Sequence, residues 1–116
     1  MNNLTYGEAL EAAKQGKRIA RKGWNGKGMF VFMRPSDELT VDFIVNKVKS
    51  LPKSVKDFYN AEYREDGKTE GKLIPHSEVI VSFSAYLCMY AADGSIVNGW
   101  LASQTDMLSN DWSILD

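Results

Sequence analysis

Histidine and cysteine are each represented once in this 116-residue chain, by His76 and Cys88, and proline only three times. Each scarcity closes off a class of chemistry. A single cysteine excludes an internal disulfide and fits a reducing compartment. No grouping of His, Cys and acids has zinc-ligand spacing, so no metal centre can be argued and no cofactor is expected. His76 and Cys88 lie twelve residues apart, but Cys88 sits in an apolar run, where a packed thiol is expected. A nucleophile would need exposure and electropositive surroundings. His76, after Pro75, reads as a loop residue. Carboxylates are scattered, and no acid–base pair can be argued from their spacing. No apolar run is long enough to cross a bilayer, and Met1-Asn2-Asn3 does not read as a signal peptide. The expected location is therefore the cytoplasm.

Basic residues are missing from one end. Residues 73 to 116 contain no Lys or Arg, only Glu78, Asp93, Asp106, Asp111 and Asp116. Residues 14 to 34 show the reverse: seven Lys and Arg and no acid. Such ends can meet by folding or by head-to-tail assembly, and the basic one can attract a phosphate-bearing partner. Gly23 to Gly28 contains Gly26-Lys27, yet no Ser or Thr follows the lysine and a β-type run comes next, so a phosphate-binding P-loop is excluded.

The remaining pattern predicts an α+β domain spanning 1 to 116. Its parts are a twisted antiparallel sheet, an N-terminal helix, a helical insertion at about 36–78 and a short C-terminal helix. Thr5 and Glu8 form a capping box, Tyr6, Ala9, Leu10 and Ala13 give a helical stripe, and Gly16 stands where a helix ends. A strand over 17–22, a tight turn at Asn25-Gly26 with Trp24 at its tip, and a strand over 29–33 make a first hairpin. Ser36-Asp37-Glu38 can cap a helix over 38–49, a second helix is expected over 53–60, and 62–72 reads as an exposed loop. Asp93-Gly94 predicts a two-residue hairpin between strands 84–92 and 95–101. A capped helix over 103–110 and a last strand at Trp112 and Ile114 complete the chain. Both faces of 84–92 are apolar or aromatic, so a helix or another subunit must cover the second. A domain of this size has little core to spare, and self-association would help it.

Residues 98 to 112, "NGWLASQTDMLSNDW", place two indoles beside small hydrogen-bonding groups. Aromatic faces stack nucleobases with about 1–3 kcal/mol per base. Hydroxyls, amides and the N–H groups of a helix start can hold ribose and phosphate oxygens. Trp24 and Trp100 are the candidates for stacking, Asn98 and Asp106 for polar contacts, and Arg21, Ser103 and Thr105 for ribose and phosphate. Ser103 reads equally well as a plain helix cap, and Trp112 as core.

Two blocks then carry a resemblance. One is Gly7-Glu8-Ala9-Leu10-Glu11-Ala12 with Gly16-Lys17 and Ala20-Arg21-Lys22-Gly23-Trp24-Asn25-Gly26-Lys27-Gly28-Met29. The other is Tyr86-Leu87-Cys88-Met89 with Ala92-Asp93-Gly94-Ser95-Ile96-Val97 and Gly99-Trp100-Leu101-Ala102-Ser103-Gln104-Thr105-Asp106-Met107-Leu108, closing on Asp111-Trp112. In their order they resemble the second type of phage Thoeris anti-defence protein. The resemblance implies a sponge that binds a cyclic ADP-ribose isomer, glyco-cyclic ADP-ribose, in the infected bacterial cytoplasm and does not cleave it. It also implies a homotetramer with ligand pockets between subunits and, in some members, a separate site for cyclic dinucleotides or trinucleotides. Asn98 stands where many members have proline, Tyr90 where a charged residue is common, and the 36–78 insertion is longer than in compact members. The rival readings are an enzyme that degrades the signal and a module that binds nucleic acid through residues 14 to 34. The missing basic residues beyond Lys72 argue against a polynucleotide track, and no membrane partner is expected.

Overall fold

The computed structural model describes residues 1–63 and 75–115. The fold is α+β, as the sequence predicts, and divides into two compact units: Met1–Pro35 with Ala85–Asp116, and Ser36–Ser84.

In the first unit, α1 (Tyr6–Lys14) begins with both halves of the Thr5–Glu8 capping box. It ends in a Schellman motif: Gly16 N–H donates to Ala13 O, Lys17 N–H donates to Ala12 O, and Gly16 takes φ +93°. The unit's sheet has the order β6-β5-β2-β1-β7. Its strands are β1 (Ile19–Arg21), β2 (Phe30–Arg34), β5 (Tyr86–Tyr90), β6 (Ile96–Asn98) and β7 (Trp112–Ile114), and every pairing is antiparallel. Ile19, Val31 and Met89 stand in register on one face, where buried Leu4, Ala9, Ala12, Ala13 and Trp112 complete the core. Alternation places Phe32, Cys88 and Asn98 on the opposite face. The outer edge of β7 is occupied by the N-terminal segment: Leu4 exchanges backbone hydrogen bonds with Trp112, and Ile114 N–H donates to Met1 O. The other edge strand, β6, is exposed along its whole length.

Both turns differ from expectation. Eight residues connect β1 to β2, and neither Asn25 nor Gly26 has positive φ; Gly28 does, at +78°. The loop is therefore wide, and it returns Trp24 to the core instead of projecting it. At the second hairpin, Gly94 N–H donates to Ala91 O, and Gly94 alone of the Asp-Gly pair is left-handed, at φ +88°. That is a three-residue connection ending in a glycine bulge, not a two-residue primed turn.

In the second unit, β3 (Asp37–Thr40) pairs antiparallel with β4 (Ile80–Phe83). The helix expected over 38–49 is thus α2, Val41–Asn46 alone. Its cap is Thr40, whose Oγ1 accepts from Phe43 N–H, because the residues before it are committed to strand pairing. α3 runs Lys53–Glu62, two residues beyond the expected end. His76 opens a short 3-10 turn, His76–Glu78, and is buried, with its Nε2 against the Tyr63 carbonyl. The expected 62–72 loop lies outside the described residues from 64 onward. Among the described residues no helix is long and apolar enough to cross a membrane.

Candidate functional site

The first unit carries a cluster of three indoles on the helix-covered side of its sheet. Trp112, at the start of β7, is fully buried. Trp24 meets it edge to face at 5.3 Å between ring centroids, and Trp100 does so at 6.5 Å. Trp24 and Trp100 are themselves 6.1 Å apart at 74°, both half-buried against the core. Tyr6, from α1, packs on Trp112 at 5.2 Å. Edge-to-face packing suits the ring quadrupoles. It also leaves no parallel gap between Trp24 and Trp100, so a base cannot be sandwiched between the two.

A polar network holds these rings. α4 (Gln104–Leu108) is capped reciprocally: Ser103 Oγ accepts from Asp106 N–H at 3.0 Å, and Asp106 Oδ2 accepts from Ser103 N–H at 3.1 Å. The other oxygen, Oδ1, accepts Arg21 Nη1 at 2.7 Å and the Trp24 indole N–H at 3.0 Å. Arg21 also donates through Nε to Asp111 Oδ1 at 2.9 Å. Asp111 Oδ2 in turn accepts Gly23 N–H at 2.8 Å, fixing the start of the loop that carries Trp24. A side chain at Gly23 would come within 2.8 Å of that oxygen and 2.9 Å of Arg21 Nη2, so it would have to push the Arg21–Asp111 pair aside. The Trp112 indole N–H donates to the Asp106 carbonyl at 2.8 Å. Among the described residues, no buried side-chain nitrogen or oxygen lacks a partner.

The electrostatics follow from these bonds. Burial alone would raise the Asp106 pKa, but hydrogen bonds from Trp24, Arg21 and Ser103 outweigh it and hold the group at about 2. The Arg21 hydrogen bond, opposed by some burial and aided by Gly23 N–H, likewise lowers Asp111. Burial, then the Asp106 charge, raises the Tyr6 phenol.

Five of the seven residues proposed from sequence therefore share one neighbourhood: Arg21, Trp24, Trp100, Ser103 and Asp106. Thr105 is exposed on α4. Asn98 lies on the opposite sheet face, where its Oδ1 accepts the Cys88 thiol at 3.4 Å; Cys88 is buried. Asp111 and Gly23 belong to the network, and Tyr6 packs beside it, but none was singled out for it. The sequence offered one clue, the acids Asp106 and Asp111 in a stretch without bases and the basic residues of 14 to 34 in a stretch without acids. Beside the Arg21–Asp111 pair opens a cleft of about 380 Å³, lined also by Asn2, Asn3, Ala20, Lys22 and Ser113. No group of three or more His, Cys, Asp or Glu among the described residues could hold a metal ion.

The Thoeris anti-defense 2-like domain matches residues 4–115, and so spans both units and the indole cluster. The chain belongs to the Thoeris anti-defense 2-like family. It is similar to Thoeris anti-defense 2 of Bacillus phage SP01, at 34% identity over 112 residues, which is 97% of this chain and 94% of that protein. Membership of this anti-defence family extends well beyond the two sequence blocks that first carried the resemblance, because it includes the 36–84 segment between them.

Proposed function

We propose that this protein is a phage anti-defence sponge acting in the cytoplasm of the infected host. It sequesters a cyclic ADP-ribose-type signal, glyco-cyclic ADP-ribose by preference, and so withholds it from the Thoeris effector. It binds the signal without cleaving it.

The observation that carries this reading is the pairing of Trp24 with Trp100. Two half-buried indoles are held in fixed orientation at the end of a sheet, neither of them fully withdrawn from solvent, and indole faces are suited to stacking on a purine. Polar groups suited to a ribose and a pyrophosphate stand nearby. Thr105 is exposed on α4, and Arg21 commits three of its five N–H groups to Asp106 and Asp111, the third through a long 3.4 Å contact. The carboxylates of the network are already engaged by donors, an arrangement that favours holding a ligand over general acid–base work.

Asn98 supports assembly. Its side chain belongs to the sheet face away from the indoles, on the open edge strand β6. For Asn98 and Trp24 to meet one ligand, a second copy must supply one of them. Ile96, Val97, Leu101 and Leu108 are exposed between β6 and α4, Leu101 to 88%, which is apolar surface suited to burial against that copy. A homotetramer with pockets between subunits satisfies both observations. A separate site for cyclic dinucleotides or trinucleotides belongs to the same proposal.

Calorimetry on Trp24→Ala and Trp100→Ala tests the reading. Each substitution should weaken binding of glyco-cyclic ADP-ribose by about 5- to 150-fold, the equivalent of one lost base stack. Unchanged affinity in both variants would remove the indoles from the site.

A further inference from the structure

The sequence suggests Asp106 as a group for polar contacts with a ligand. Its surroundings give it other work. Oδ1 is shared by the Arg21 guanidinium and the Trp24 indole N–H, and Oδ2 is taken by the Ser103 backbone. The residue is 8% exposed. A ligand hydroxyl would have to displace a charge-assisted bond or the cap of α4 to reach it. Two other elements converge on this carboxylate of α4, the end of β1 through Arg21 and the β1–β2 loop through Trp24, while Ser103 binds it within the helix's own cap.

The consequence for Trp24 is orientation. An indole at a wide, glycine-flanked loop has no strand ladder to fix it. Here its N–H is tied to Asp106, its ring meets Trp112 edge to face, and Asp111 pins the loop start at Gly23. We infer that Asp106 is a positioning residue that acts on ligand through Trp24, locking the indole so that only its ring face meets a base. The Trp24 N–H is consequently unavailable to donate to ligand. Recognition at this ring is by stacking, which any purine satisfies, and discrimination between signals falls to other residues. This deepens the sponge reading and rests on it for the identity of the probe, but not for the state of the free protein.

The test has two arms. In the unliganded protein, the Trp24 indole N–H resonance should show slow solvent exchange, and Asp106→Asn should shift that resonance and accelerate its exchange. Rapid exchange in the unsubstituted protein would overturn the proposal without recourse to any variant. In the second arm, glyco-cyclic ADP-ribose is titrated into the parent protein, Asp106→Asn, Trp24→Ala and the double variant. A residue acting through Trp24 should cost at least about fivefold in affinity on its own and nothing further once Trp24 is gone. Additive losses would mean that Asp106 touches the ligand directly, and an unchanged affinity in Asp106→Asn would mean that the lock is irrelevant to binding; either result overturns the proposal. If the parent protein fails to bind the probe, the sponge reading fails, and the indole arm still decides whether Asp106 fixes Trp24.

Discussion

Trp24 and Trp112 are the same residue type 5.3 Å apart, yet they answer to different demands. Trp112 is fully buried, and Trp112→Ala should cost about 3–5 kcal/mol of folding stability, read as a lowered urea midpoint. Trp24 is only half-buried, so its removal should fall mainly on affinity and much less on the midpoint. Asp106 links the two, through its carboxylate to Trp24 and its carbonyl to Trp112. Its pKa of about 2 lies below the ordinary carboxylate value of 3.8. The folded state therefore gains stability from its ionisation above the unfolded value, and that gain disappears as pH falls towards 2. The gain is about 2 kcal/mol. Urea unfolding at pH 7 and near pH 2 should differ by that much less in Asp106→Asn, while the part due to Asp111, lowered in the same sense, should persist. Equal pH dependence in the two proteins would show that Asp106 is not ionised within the network.

The elements differ in how far local chemistry determines them. Ser103 Oγ is the side-chain cap of α4, a helix of only five residues. Ser103→Ala should cost about 1 kcal/mol and loosen Asp106 with it. Gly94 is left-handed at the β5–β6 hairpin, and Gly94→Ala should cost about 1–2 kcal/mol, measured as a shift in urea midpoint. Both caps and α1 could be read from the sequence because each is built from residues three or four apart. The Asp-Gly hairpin was legible as a turn but not in its type, since the choice between a primed turn and a bulge depends on how strands 86–90 and 96–98 align. The helix expected over 38–49 was overruled at its start by a partner about forty residues away, β4, which no local pattern around Ser36 reveals. At the site, Trp24 and Trp100 could be picked out as candidates for stacking from their glycine neighbours and polar company. Their mutual edge-to-face contact could not be read, because it depends on Trp112, distant from Trp24 in the chain, packing against both rings as a common floor.

At the scale of the whole molecule, the sheet of the first unit has one edge closed by the N-terminal segment and one left open at β6. Open apolar edges invite pairing, and a lysine on the edge is the ordinary device that prevents it. Sedimentation of the parent protein should therefore show a species heavier than the 13.0 kDa chain, and Val97→Lys should shift it towards the monomer. A parent protein that sediments as a monomer at ligand-binding concentrations would remove the shared pocket. Assembly and retention are what a sponge requires, since each copy of the signal must be held and none needs to be turned over. The most direct measurement follows from that requirement: mix the protein with a known amount of glyco-cyclic ADP-ribose, remove the unbound fraction, heat-denature the complex and weigh the released molecule by mass spectrometry. The intact signal should come back in full, in proportion to the protein used; recovery of a cleaved product, or no retained signal before heating, would contradict sequestration.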